Sequence, residues 1–141
     1  YGAALALQLG VDHSQNVNGL VSLAGTIAAP YQNPRWYNYI GKYTPLKWLL
    51  PKAFKTSNKE MWMLSNDLAL IEEKLSSLQI PVFVYQGGKD VLVNSASGEY
   101  MAERLPQGEL IFRPEKNHFV IWTDIPDLDS LVLDWKETLN W

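Results

Sequence analysis

The chain has 141 residues, 47% of them hydrophobic, with 12 Lys and Arg against 15 Asp and Glu for a net charge of -3. Those totals describe one globular domain, or part of one, with enough apolar residues for a packed core, and they exclude a disordered chain. Zero cysteine excludes disulfides, thiolate catalysis and thiolate metal sites, and no apolar run approaches the roughly 18 residues of a membrane span.

No basic run or stripe appears, which argues against nucleic acid as a partner. The lack of cysteine does not choose between cytoplasm and periplasm; the working expectation is cytoplasm. Residues 2–9 read as a helix, small and apolar on nearly every face, and therefore buried all round. Gly10 is expected to cap it. Asp12 to Gln15 read as a polar turn, with His13 at the surface. Val17 to Ala24 reads as a buried strand, parallel to its neighbours because both faces are apolar.

Residues 26–78 have a different character. Pro30, Pro34, Pro45 and Pro51 punctuate them, and aromatics crowd Tyr31 to Phe54. Short helices are expected at 36–40 and 47–50. Met61, Leu64, Leu68, Ile71, Leu75 and Leu78 then recur at steps of 3 and 4, one stripe along a helix of about six turns. The segment reads as a helical insertion between two strands.

Ile80 to Gln86 is the clearest strand, with Pro81 at its start, where no ladder donor is needed. Gly87-Gly88-Lys89-Asp90 makes a tight turn. Asn94 is expected to cap a helix that reaches about Leu105 and is closed by Pro106. Glu109 to Arg113 is a further strand, and residues 115–118 are a loop. Asp127 is expected to cap a last helix with Leu128, Leu131, Val132, Trp135 and Leu139 on one face. The alternation predicts an α/β fold with a parallel sheet and right-handed crossovers. It divides the chain into core at 1–25, a helical cap at 26–78 and core at 79–141.

In open parallel sheets functional groups gather at the carboxyl ends of strands. Asp90 stands just past one strand, and His118 follows the next. A carboxylate that fixes an imidazole tautomer lets the ring act as a general base. Taken singly, an aspartate after Gly-Gly is more often only a turn former, and a loop histidine is more often a surface or merely packed residue. Their equivalent placement on consecutive strands raises the pair above that reading.

In these features the chain resembles the C-terminal part of an α/β-hydrolase. Tyr1-Gly2 matches the last two positions of the G-x-S-x-G motif, and the small residues behind it match the helix under that turn. Gly-Gly-Lys-Asp matches the acid turn, Asn-His-Phe the histidine loop, and residues 26–78 the position of the lid. The resemblance implies a three-layer sandwich with a parallel sheet and a helical lid. It implies a hydrolase of esters, or of amides, with a Ser expected immediately before Tyr1, His118 as base, Asp90 as its partner and the Tyr1 backbone N–H as an oxyanion donor.

No metal and no organic cofactor is called for by that chemistry. Trp36, Tyr37, Trp62 and Phe119 are the expected substrate-binding residues, with Tyr39 and Trp48 also on the aromatic insertion; as plain structure the insertion's aromatics would instead form the small core of a helical subdomain, the commoner role for any one of them. Gly2 is expected because a side chain there would clash with a facing strand. The expected partners are a small-molecule ester or amide and the N-terminal half of the same fold. Tyr1 favours serine over aspartate as nucleophile, because the aspartate-using relatives carry Trp after it. Two rivals are a relative that keeps the fold but has lost the reaction, and a nucleotide binder; the second lacks a glycine-rich phosphate loop.

Overall fold

A computed structural model describes residues 2–25, 27–32, 36–43 and 48–138. Its centre is β2 (Val82–Gly87), buried along its whole length. β1 (Leu20–Leu23) and β3 (Gly108–Arg113) flank it, both parallel to it, with Val82 opposite Leu20 on one side and Gly108 on the other. Successive side chains of a strand point to opposite faces. Val82 and Val84 therefore enter one core, with Ala4, Leu7, Leu68 and Met101, while Phe83 and Tyr85 enter a second, with Ile111, Leu128 and Trp135. The layers follow from this: α1 (Gly2–Asp12) and α4 (Ala96–Ala102) cover the first face, and α6 (Ile125–Thr138) covers the second. Fully burying one large apolar side chain stabilises by about 1.5–3 kcal/mol, against about 1 kcal/mol net for a ladder hydrogen bond. The two apolar clusters thus set which helix lies on which face. Phe83 stacks on Trp135 with ring centroids 3.7 Å apart, which seats α6.

α1 departs from expectation in three ways. It buries one face only, through Ala4, Leu7 and Gly10, while Leu5 and Leu9 remain 63% and 57% exposed. Gly10 lies inside the helix rather than capping it. A Cβ there would come within 2.8 Å of a Leu20 methyl, so the glycine serves close packing of α1 on β1. A Cβ on Gly2 would meet nothing within 4 Å among the described residues, and the tight approach lies opposite: a Cβ on Gly25 would sit 2.3 Å from the Ala3 Cβ. The glycine that lets helix and strand meet is on the strand side. β1 is also shorter than expected. Ala24 closes it with a left-handed φ of 47°, its N–H bonded to the Tyr85 carbonyl at 2.8 Å.

The insertion forms α2 (Trp36–Tyr43) and α3 (Lys52–Glu72). They meet where Gly41 leaves room for Asn58, and the buried Asn38 amide donates to the Asn58 carbonyl at 2.9 Å. α3 starts nine residues before the apolar stripe, and it ends within it. Leu75 lies in a 3-10 turn (Leu75–Ser77) and Leu78 beyond it, yet both are buried in the first core with Leu64 and Leu68. The stripe marks burial across two elements rather than one helix. Trp48 to Leu50 form a turn, and the expected Lys47 lies outside the described residues, as do Thr26, Pro34, Pro45 and Leu139.

α4 ends three residues earlier than expected. Bonds from Arg104 to Met101 and from Leu105 to Ala102 tighten its end, which turns Leu105 into the core. α5 (Val120–Thr123), a single turn, was not foreseen. α6 begins before Asp127, with Pro126 in its first turn, where the missing N–H costs nothing. Asp127 is therefore not a cap. Its carboxylate takes two bonds from Arg113, at 3.1 and 3.2 Å, and one from the Tyr85 hydroxyl at 2.9 Å, joining β2, β3 and α6. The Arg113 guanidinium holds the Asp127 carboxyl below the usual carboxylate range.

Burial, and then the bond to Asp127, push the Tyr85 phenol up to about 12. The folded state thus favours the neutral phenol. Its contribution is complete below the ordinary phenol value and is lost as pH rises from about 10 to about 12. We expect Tyr85→Phe to cost about 1 kcal/mol at pH 7. The gap to wild type should close between pH 10 and 12 in urea unfolding curves; a gap constant with pH would refute the assignment.

Candidate active site

Beyond the carboxyl ends of β2 and β3, backbone meets backbone. The Gly88 N–H donates to the Arg113 carbonyl at 2.9 Å, and the Lys89 N–H donates to the Lys116 carbonyl at 2.8 Å. The approach leaves no room for side chains. A Cβ on Gly87 would stand 2.4 Å from the Lys116 carbonyl oxygen, and one on Gly88 would stand 2.7 Å from that of Pro114. No described glycine has a positive φ, so these two are needed for contact and not for turn conformation. Their absent side chains bring the loop after β3 down onto the turn after β2.

That contact places His118 against Asp90. Nδ1 of the ring lies 2.8 Å from the Asp90 Oδ2. A carboxylate only accepts, so Nδ1 carries the proton and Nε2 of the neutral ring is the acceptor. Nε2 has no hydrogen-bond partner among the described residues. The Asp90 side chain is fully buried, and that of His118 is 29% exposed. A bare buried carboxylate costs several kcal/mol, and here three further donors offset it. The Leu92 and Val93 N–H groups reach Oδ1 at 2.9 and 2.8 Å, and the Gln86 amide reaches Oδ2 at 3.3 Å.

The loop is anchored from its other side too. Lys116 pairs with the buried Asp124 at the start of α6, which holds the ammonium protonated above its ordinary range. Asn117 accepts the Phe119 N–H at 2.8 Å and so shapes the turn into α5. The Phe119 ring stands edge-on to the imidazole, with centroids 5.9 Å apart, and is 50% exposed. Trp122 touches Phe119, and no ring contact joins it to His118 among the described residues. Beside Asp90 lies a cavity of about 330 Å³, lined among others by Tyr31, Gln32, Met61, Leu92 and Asn94.

Asp90, His118 and Phe119 are thus adjacent. The other expected site residues lie elsewhere. Trp36 and Tyr37 pack edge-on to each other on α2, 74% and 39% exposed. Trp62 faces a different cavity, between α2 and α3. Tyr1 lies outside the described residues. Gln86, Lys116 and Asp124 were missed. Gln86 had a signal: it is the one polar side chain in the run Val82-Phe83-Val84-Tyr85-Gln86, and such a residue in a buried strand needs a partner. Lys116 and Asp124 had none.

Three parallel strands, helices on both faces, and an acid and a histidine on adjacent strand ends can be compared with known folds. No family model matches the chain, and no curated protein does. Solved structures do. One is described as Est816, an N-acyl homoserine lactone degrading enzyme: TM-score 0.65, 20% identity, 94% of this chain and 63% of that one. A second is an α/β hydrolase from a Medee basin deep-sea metagenome library: TM-score 0.62, 18% identity, 95% and 61%.

The chain has the α/β-hydrolase fold. A third match, a monoacylglycerol lipase from Paleococcus ferrophilus, gives TM-score 0.65 at 11% identity over 96% of this chain and 65% of that one. The chain spans about 60% of the length of the structures it matches and corresponds to the C-terminal part of the α/β-hydrolase fold. No described helix is long and apolar enough to cross a membrane.

Gly87 is the sharpest test of this geometry. Gly87→Ala drives a methyl into backbone, which cannot rotate away, and should destabilise by about 1–3 kcal/mol in urea unfolding. The His118 ring resonances should shift with it as the loop lifts from Asp90. A stable variant with an unchanged imidazole spectrum would contradict the contact.

Proposed function

We propose that this chain carries the acid and base of a serine hydrolase acting on carboxylic esters. The observation that carries the reading is the pair itself: a buried, fully hydrogen-bonded Asp90 that holds His118 by Nδ1 and leaves Nε2 unengaged. The hydrolases among the similar structures support it, though at 11–20% identity they speak only for the fold.

In this reading a serine immediately before Tyr1 attacks the ester carbonyl. His118 Nε2 takes its proton and delivers it to the leaving alkoxide. Asp90 keeps the ring in the productive tautomer and stabilises the imidazolium while the tetrahedral intermediate exists. The Tyr1 N–H serves as one oxyanion donor. Water then repeats the sequence to release the acid. The cavity beside Asp90 takes part of the substrate, and Phe119 walls the entrance next to the base. The N-terminal part of the fold is proposed to cover Leu5 and Leu9 on α1, which this chain leaves exposed. Esters are preferred over amides because an alkoxide leaves the tetrahedral intermediate more readily than an amine, which must be protonated first.

The full-length protein should hydrolyse short and medium p-nitrophenyl esters. His118→Ala and Asp90→Asn should each lower kcat by about 10⁴-fold. A serine-reactive phosphonate should label the residue preceding Tyr1. Variants that keep wild-type rates, or label on another residue, would end the proposal.

A further inference from the structure

The net charge of -3 hides a segregation along the chain. Between His13 and Lys59 there are six cationic residues, Arg35, Lys42, Lys47, Lys52, Lys55 and Lys59, and no Asp or Glu. All 15 carboxylates lie outside that stretch. Four of the six, Lys42, Lys52, Lys55 and Lys59, lie on α2 and the first half of α3, beside the aromatics of the same stretch.

A cavity of about 650 Å³ opens between those two helices, within the roughly 300–1,000 Å³ usual for small-molecule sites. Among the described residues it shares no lining with the cavity beside Asp90. Lys42, Lys55 and Lys59 line it together with Trp48 and Trp62. No ammonium of the three pairs with a carboxylate among the described residues, and residues 44–47 add no acidic side chain. Lys42 is held over the Trp62 ring, 3.7 Å from its centroid, and Lys55 donates to the Trp48 carbonyl at 3.2 Å. Both cations thus contact the tryptophan walls while remaining exposed at the cavity mouth.

The remaining polar groups of the lining are donors as well. The Trp62 indole N–H is shut off from water and has no acceptor among the described residues. Asn58 already spends its carbonyl on Asn38, which leaves the NH2 end of its amide. Aromatic walls with donors and cations, and no opposing carboxylate, suit one ligand chemistry. We infer that this cavity binds a single anionic amphiphile, a carboxylate or comparable anionic head on an apolar tail. The tail lies against Trp48 and Trp62, and the head meets Lys55 and Lys59. The site belongs to the cap and does not depend on the hydrolase reading.

The test is calorimetric titration of the full-length protein with decanoate kept monomeric, decanol, and decyltrimethylammonium. Decanoate should bind one per chain, decanol about tenfold more weakly, and the cation not measurably. A K55Q/K59Q variant changes two exposed side chains, so folding is preserved. It should weaken decanoate about five- to tenfold while leaving decanol unchanged, and added salt should weaken decanoate in the wild type. The His118→Ala protein should bind decanoate like the wild type. Equal binding of the three probes, unchanged decanoate affinity in K55Q/K59Q, or loss of binding in His118→Ala would overturn the inference. So would binding to phosphatidylglycerol vesicles without binding of monomeric decanoate.

Discussion

The contact of the Gly87-Gly88 turn with the loop after β3 is the constraint on which the candidate site depends. Parallel strands bring the ends of β2 and β3 side by side, about 4.8 Å apart. That spacing alone does not set two side chains at hydrogen-bonding distance. The loop carrying His118 must fold down onto the turn carrying Asp90, and backbone must touch backbone. Glycine at both positions permits it, and the bonds from Gly88 and Lys89 fix it. The 2.8 Å contact between the imidazole and the carboxylate is the outcome of this packing.

The rest of the fold serves to make β2 a rigid mount. Its residues alternate between two apolar clusters, so it cannot slip by one residue without exchanging Val82 and Val84 for Phe83 and Tyr85. Polar groups then tie the mount to the helices at the end where the site lies. Asp127 gathers Tyr85 and Arg113, and Asp124 holds Lys116. Gln86 reaches Asp90 from within the strand, beneath Gly98 of α4, where a side chain would meet the Gln86 Cβ at 2.7 Å. Each of these ties fixes a neighbour of Asp90 or His118 rather than adding a contact at random.

The segment between β1 and β2 is built on other terms. Its second half is core: Leu64 and Leu68 pack with α1 and the sheet. Its first half is cationic and aromatic, with Trp36, Tyr43 and Trp48 between 68% and 80% exposed. The Asn38–Asn58 bond and the space at Gly41 join α2 to α3 without an apolar seam of the size found under β2. A separate cavity results, walled by the segment itself.

Much of this was legible in residue order. Short runs that are apolar on both faces marked the strands, and their alternation with helical stretches marked a parallel sheet. Asp90 and His118 stood out because each follows a strand, and chain order alone puts them on one edge. What residue order did not reveal was contact. Gly10 read as a cap and is a packing site; Gly87 and Gly88 read as a turn, which they help form, and also clear the space for a loop; Asp127 read as a cap and is a partner for Arg113 and Tyr85. α1 read as buried all round, yet Leu5 and Leu9 are exposed. Local sequence determines which backbone conformations and which faces are favourable, because those depend on neighbours a few positions away. Which glycine is needed for space, which acid is spent on an ion pair and which aromatic lines a cavity depend on residues dozens of positions distant. Only the tertiary structure brings those together.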